Sequence, residues 1–305
     1  MKHLQLGLST LHAPLAAVGC MRIADLSENE LDRLVRGAID QGLNFFDHAD
    51  IYGGGECERS FGRLLARDES LRRKLLIQSK CGIRKGYFDF SREHILNSVD
   101  GSLQRLGTDH LDVLLLHRPD TLMEPEEVAE AFTLLFRSGK VRHFGVSNQN
   151  PGQLALLQKY IRLPLCVDQL QFGPAHTSII DSGLNVNIKN DLGLGRDGGI
   201  LEYCRLHEIT IQAWSPFLFG FFEGVFLGHE RYAALTEVLT RIGERYHLSP
   251  GAAAVAWIIR HPARIQPVLG TTRLERLQEY AAALEVEMTR EEWYEIYRAA
   301  GNPLP

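Results

Sequence analysis

The sequence predicts a (β/α)8 barrel, an α/β TIM barrel with an N-terminal hairpin and an additional C-terminal helix. Three observations carry that reading. The chain has 305 residues, enough for one barrel of about 250 residues plus extensions. It holds eight apolar runs of strand length. Most of these runs are separated by stretches of helical periodicity, the alternation that builds a parallel sheet. With no obvious linker, residues 1–305 are expected to form a single domain.

In chain order, residues 2–11 read as a hairpin outside the barrel count. The strand candidates are 15–20, 43–47, 75–80, 111–117, 141–147, 165–171, 209–214 and 265–269. Val113-Leu114-Leu115-Leu116 shows no polar alternation, as expected of strands buried on both faces. After the first strand, Ser27 and Glu30 have the spacing of a capping box. Leu31, Leu34, Val35, Ala38 and Ile39 then share one helical face, and Gly42 stops the helix. Residues 91–107 repeat the scheme with a serine start, apolar Ile95, Val99, Leu103 and Leu106, then Gly107. Residues 125–138 do so before Gly139, and Asn150-Pro151 opens a helix containing Leu154, Leu157 and Ile161. Stretches 172–199 and 217–228 read as long loops directly after strands, where barrel enzymes carry substrate loops. An open doubly wound sheet satisfies the same alternation; the count of eight favours the closed barrel.

Composition narrows the function. The chain is 45% hydrophobic and 23% charged, so a core can be buried without disulfides or metals. Its 33 basic and 38 acidic residues give a net charge of -5, which argues against nucleic acid or an anionic membrane as partner. Cys20, Cys57, Cys81, Cys166 and Cys204 lack any CxxC or zinc spacing and read as idle thiols in a reducing compartment. The N-terminus lacks the apolar segment of a signal peptide, and no run approaches the ~20 residues of a membrane span. A cytoplasmic protein acting on a small molecule is expected; its oligomeric state is left open.

Polar residues interrupt the apolar runs at their carboxyl ends. Asp47 ends the second, Lys80 the third, His117 the fourth, and Ser147-Asn148 the fifth. Asp168-Gln169 lies in the sixth, and Trp214-Ser215 ends the seventh. Ionisable groups there are costly to bury unpaired, and in a barrel these ends converge on the face that carries activity. Asp47, Lys80 and His117 are therefore expected around one pocket, with Tyr52 reaching in from the loop after strand two. A buried ion pair without chemistry is the competing reading for Asp47 and Lys80 alone. Core packing competes for Trp214, and a turn role for Asn148. Gly53-Gly54-Gly55 lacks the lysine-serine ending of a phosphate loop and reads as a flexible turn.

At these residues the chain resembles the aldo-keto reductase superfamily, and is most similar to the bacterial branch of YdhF-type oxidoreductases. The likeness rests on Asp47-His48-Ala49-Asp50-Ile51-Tyr52-Gly53, Ser79-Lys80-Cys81-Gly82, Leu116-His117-Arg118-Pro119 and Gly139-Lys140-Val141-Arg142-His143-Phe144-Gly145-Val146-Ser147-Asn148. It implies a (β/α)8 barrel that reduces aldehydes or ketones with NADPH. By position, Tyr52 resembles the general acid, Lys80 and Asp47 the pair that tunes it, and His117 the residue that orients the carbonyl. Ser147, Asn148 and Gln169 resemble the carboxamide ligands, Trp214 the stacking ring, and Ser215 the start of the pyrophosphate segment. Thr271, Arg273 and Arg276 resemble contacts to the adenosine 2′-phosphate, and Glu279 a contact to adenine. The chain departs from many relatives at Gly270, where they carry lysine, and at Tyr280, where they carry asparagine. Met21 stands where several have a pocket tryptophan.

The residue types suit that chemistry. A nearby ammonium lowers the pKa of a phenol, so Lys80 is expected to bring Tyr52 below its ordinary value of about 10. Met21 and Phe88 are expected in the substrate pocket, Phe88 with Tyr87, Phe90, Phe217, Phe219, Phe221 and Phe222 as an apolar set. Two other classes remain on the sequence alone. One is an NADPH-binding redox-sensing or interaction subunit with little turnover. The other is a Schiff-base aldolase using Lys80.

Overall fold

The computed structural model describes residues 2–304; Met1 and Pro305 of the expected 1–305 unit lie outside the described residues. Eight strands close into a barrel: Ala17–Gly19, Phe45–Asp47, Leu76–Cys81, Leu111–Leu116, Val141–Ser147, Leu165–Gln171, Thr210–Trp214 and Gln266–Leu269. Every neighbouring pair is parallel, and the eighth strand returns to the first through Val268↔Ala17 and Leu269↔Val18. Seven of the eight predicted runs contain one of these strands, and the third, 75–80, falls one residue short of the end of Leu76–Cys81.

Local chemistry sets the helices between them. Ser27 and Glu30 form a reciprocal capping box on helix Glu28–Asp40, which buries Leu31, Leu34, Val35 and Ala38. Ser91 accepts from the His94 N–H at the start of Arg92–Leu106, and Gly107 ends that helix at φ 61°, a conformation open to glycine at little cost. Asn150 and Gln153 cap Pro151–Tyr160 in the same reciprocal way.

The additional C-terminal helix, Arg290–Ala299, is capped by Thr289 and Glu292. It docks through Trp293, whose ring stacks on Trp257 at 4.9 Å. The two indoles bond reciprocally: Trp257 Nε1 donates to the Trp293 carbonyl at 2.9 Å, and Trp293 Nε1 to the Trp257 carbonyl at 3.1 Å. Both polar handles of two large apolar rings are thereby satisfied inside the core.

The hairpin sits slightly later than expected, His3–Gln5 pairing with His12–Pro14. Leu4, Leu6 and Ala13 from it join Ala17, Phe45, Val113, Leu115, Val167 and Val268 in a separate apolar cluster within the barrel. One end of the barrel is thus plugged. The stretch 172–199 is not a bare loop. It contains helix Ser178–Leu184 and a short 3-10 turn, Asp191–Gly193. Buried Asp181 accepts from the Tyr297 hydroxyl at 2.8 Å, a partner 116 residues away that local patterning cannot reveal. Within 217–228, Leu218–Phe219 pairs with Gly224–Val225. All five cysteines are buried and free. No helix among the described residues is long and apolar enough to cross a membrane.

Candidate active site

Strands two and three lie side by side in register, Asp47 opposite Gln78. Lys80, two residues further along strand three, has no exposed surface. Its ammonium donates to Asp47 Oδ2 at 2.8 Å, to the His48 carbonyl at 2.8 Å and to Tyr52 Oη at 3.2 Å. An ammonium has three protons and no lone pair, so all three are committed and Tyr52 Oη is an acceptor. The phenol's own proton cannot point at Lys80. It is left for a group in the cleft that Tyr52 lines.

Burial opposes the charge on Lys80, but Asp47 and Tyr52 outweigh it and raise its pKa above the ordinary value. Burial is also the largest influence on Tyr52, and it raises the phenol above its ordinary pKa; Lys80 pulls down and Asp47 pushes up. This corrects the expectation from charge alone. The desolvation of a buried phenol exceeds the help of one ammonium already neutralised by a carboxylate. The phenol is therefore held protonated across the neutral range.

The His117 ring stands edge-on to Tyr52 with centroids 5.9 Å apart. Its Nδ1 is buried without a partner, while the residue lines the same cleft. Burial, then the Lys80 and Arg118 charges, hold its pKa well below the ordinary value. The imidazole is neutral at pH 7 and has one N–H to give.

Beneath this group runs a ladder of amides. Gln78 donates to Asp47 Oδ1 and, at 2.8 Å, to Gln212 Oε1. Gln169 donates to Asp47 Oδ1 at 3.2 Å and to Gln212 Oε1 at 3.0 Å. Gln212 donates to Gln266 at 2.8 Å, and Gln266 to the Pro14 carbonyl at 2.6 Å. Four strands and the hairpin thus hold the Asp47 carboxylate, which in turn fixes Lys80. Sequence reading missed Gln78, Gln212 and Gln266. The available signal was one glutamine in each of three largely apolar strands, Leu76–Cys81, Thr210–Trp214 and Gln266–Leu269.

A cleft of about 950 Å³ opens from Tyr52 and His117 across the barrel mouth. Met21, Ser147, Asn148, Gln169, Trp214, Ser215, Thr271, Arg276 and Glu279 line it. Trp214 Nε1 donates to Asn148 Oδ1 at 3.1 Å, Asn148 Nδ2 to Ser147 Oγ at 2.7 Å, and Ser147 Oγ to the Gln169 carbonyl at 2.9 Å. Asn148 and Ser215 both adopt left-handed backbone, at φ 59° and 47°. Such residues cost of order 1–3 kcal/mol each and concentrate at functional sites. Buried Asp168 does not line the cleft, and neither of its oxygens accepts a hydrogen bond of good geometry. Burial raises its pKa to about 8, and the N–H groups of Gln149 and Asn148 oppose this only in part. Phe88 and Arg273 do not line the cleft. Phe88 is exposed on a two-stranded ribbon with Ile83 and Arg84. Arg273 is exposed at the N-terminus of helix Leu274–Ala282.

Comparison with known proteins bears on the family and the fold. The chain is 35% identical over 294 residues to Oxidoreductase YdhF of Escherichia coli, covering 93% of this chain and 92% of that one. It is 36% identical over 287 residues to a 6-dehydroglucose reductase of Agrobacterium fabrum, covering 91% and 90%. The fold is similar to a thermostable aldo-keto reductase, Tm1743, solved with the inhibitor epalrestat. That match has a TM-score of 0.78 and 25% identity, and covers 98% of this chain and all of that one. The family model described as Aldo/keto reductase family matches residues 16–300, and this chain belongs to that family.

Proposed function

We propose that this chain reduces aldehyde or ketone carbonyls to alcohols with NADPH, Tyr52 acting as the general acid. The observation that carries this is the chain Asp47–Lys80–Tyr52, which leaves the phenol proton free at one end of a long cleft.

The residues fit a phosphorylated dinucleotide. The cleft lies at the upper end of the ~300–1,000 Å³ range of small-molecule sites. Asn148 keeps one N–H and one lone pair uncommitted after bonding Ser147 and Trp214, enough for a carboxamide. Arg276 lines the far end without an ion pair among the described residues, as a 2′-phosphate site requires. Ser147, Gln169, Trp214, Ser215, Thr271 and Glu279 complete the set. When bound, the reduced nicotinamide supplies a hydride to the carbonyl carbon.

The protein's part concerns the carbonyl oxygen, where negative charge gathers. Tyr52 gives that oxygen a proton, His117 donates a second hydrogen bond, and Lys80 stabilises the phenolate left behind. Asp47 keeps Lys80 charged and aimed. Lys80 is a poor candidate for Schiff-base chemistry, since its protons are committed and its pKa is raised.

The test is a screen of aldehydes, ketones and quinones, following loss of nicotinamide absorbance. NADPH-dependent turnover of carbonyls is expected. Tight NADPH binding with no turnover across the panel would favour a redox-sensing subunit instead.

A further inference from the structure

Among the half-buried cations of the described residues, Arg118 alone has neither an ion pair nor a hydrogen bond. Arg72 meets Asp112 at 3.0 Å, and Arg105 meets Glu58 at 2.7 Å. Arg118, beside His117, has no hydrogen bond and no ion pair among the described residues. Its guanidinium lies 5.6 Å from the Trp214 ring centroid and 5.5 Å from that of Phe221. It lines the cleft with Tyr52, His117 and both aromatic residues. Among the described residues, the only acidic ones lining that cleft are Asp47, already taken by Lys80, and Glu279 on helix Leu274–Ala282. Arg22 also lines it, without an ion pair. The substrate end therefore carries uncompensated positive charge against an apolar wall.

Partial burial of an unpaired charge is costly, and burial indeed lowers the Arg118 pKa, with Tyr52 acting in the opposite sense. The aromatic faces recover part of that cost. A ligand oxyanion recovers more, because the planar fork of guanidinium matches a carboxylate or phosphate in two parallel hydrogen bonds. Its neighbour His117 faces the reacting carbonyl in the reading above.

We infer that Arg118 is a specificity-determining residue, and that the carbonyl substrates of this enzyme carry an anionic group, carboxylate or phosphate. The inference rests on the carbonyl-reductase reading for its kinetics, and Trp214 and Phe221 supply the apolar wall beside the anion. No bond is made or broken at Arg118; it binds and orients.

Two matched pairs test it: 4-carboxybenzaldehyde against its methyl ester, and glyceraldehyde 3-phosphate against glyceraldehyde. In the wild-type protein kcat/KM is expected to be at least tenfold higher for the anion of one pair or both, and the pair that responds names the anion. Arg118→Gln should abolish that preference, mainly through KM, with the anionic substrate losing at least tenfold more in kcat/KM than its neutral partner. Arg118→Lys, which keeps the charge without the fork, should retain part of it. Binding of benzoate, read by calorimetry, should weaken about tenfold in Arg118→Gln; this arm needs no turnover, so it decides on Arg118 even if the reductase reading fails. No preference in either pair would overturn the inference. So would equal losses on charged and neutral substrates, which would make Arg118 a brace for the aromatic wall, or benzoate affinity unchanged by the substitution.

Discussion

Replacing Lys80 by methionine separates the chemical role of the buried cation from its structural one. At 3.2 Å from Tyr52 Oη, a full charge on the phenol oxygen would interact with the ammonium by about 5 kcal/mol at an effective dielectric near 20. Asp47, bonded to the same ammonium, offsets part of that. The surplus felt by a developing phenolate is then about 3–4 kcal/mol, or a loss of roughly 10²–10³ in kcat/KM at about 1.4 kcal/mol per decade. The substitution also strands the Asp47 carboxylate, leaving it only the Gln78 and Gln169 amides. Breaking a buried pair in this way costs about 3–5 kcal/mol of stability. Lys80→Met should therefore melt well below wild type in a thermal scan. Adding Asp47→Asn removes the stranded charge and should restore much of the stability while activity stays low. Steady-state reduction by the single and double variants, beside their melting curves, reads both effects. If Lys80→Met turned over within threefold of wild type, or the double variant regained activity with stability, the ammonium would not be acting on the phenol.

Other consequences follow from the same geometry. Arg276→Ala removes an unpaired guanidinium from the far end of the cleft; NADPH affinity should fall about 10–100-fold and NADH affinity little, by fluorescence titration. Equal losses would remove the phosphate assignment. The phenol is held above its ordinary pKa, so reduction should stay level through neutral pH and decline only above about pH 10; a phenol-dependent decline near pH 7 would contradict the burial argument. Asp168 has a folded pKa raised to about 8, so the native state binds a proton that the unfolded chain has released. Stability should fall as pH rises between about 4 and 8, by up to about 1.4 kcal/mol per pH unit from this group. Asp168→Asn should remove that slope, and denaturant titrations showing the same slope in both proteins would refute it.

Much of the barrel was legible because its strands and helices differ in period. Runs such as Val113-Leu114-Leu115-Leu116 can only be buried, and Ser27, Ser91 and Asn150 announce helix starts through short-range hydrogen bonds. The helix at Ser178–Leu184 was not legible, since Asp181 is satisfied by Tyr297 across the fold. At the site, Asp47, Tyr52, Lys80 and His117 could be placed together because three of them end successive strands. The sign of the Tyr52 shift could not, because it depends on how completely the ring is desolvated. Arg118 was visible only as one letter of a motif. Its interest arises from the absence of a partner in three dimensions, and no sequence pattern records that.

The central claim is that one phenol, held at its oxygen by a buried ammonium, delivers the proton. Tyr52→Phe deletes that proton and leaves the ring in place. NADPH affinity, read by fluorescence titration, should stay within about threefold of wild type, while kcat/KM for carbonyl reduction falls by roughly 10²–10⁴. Near-normal turnover by the phenylalanine variant would contradict the account.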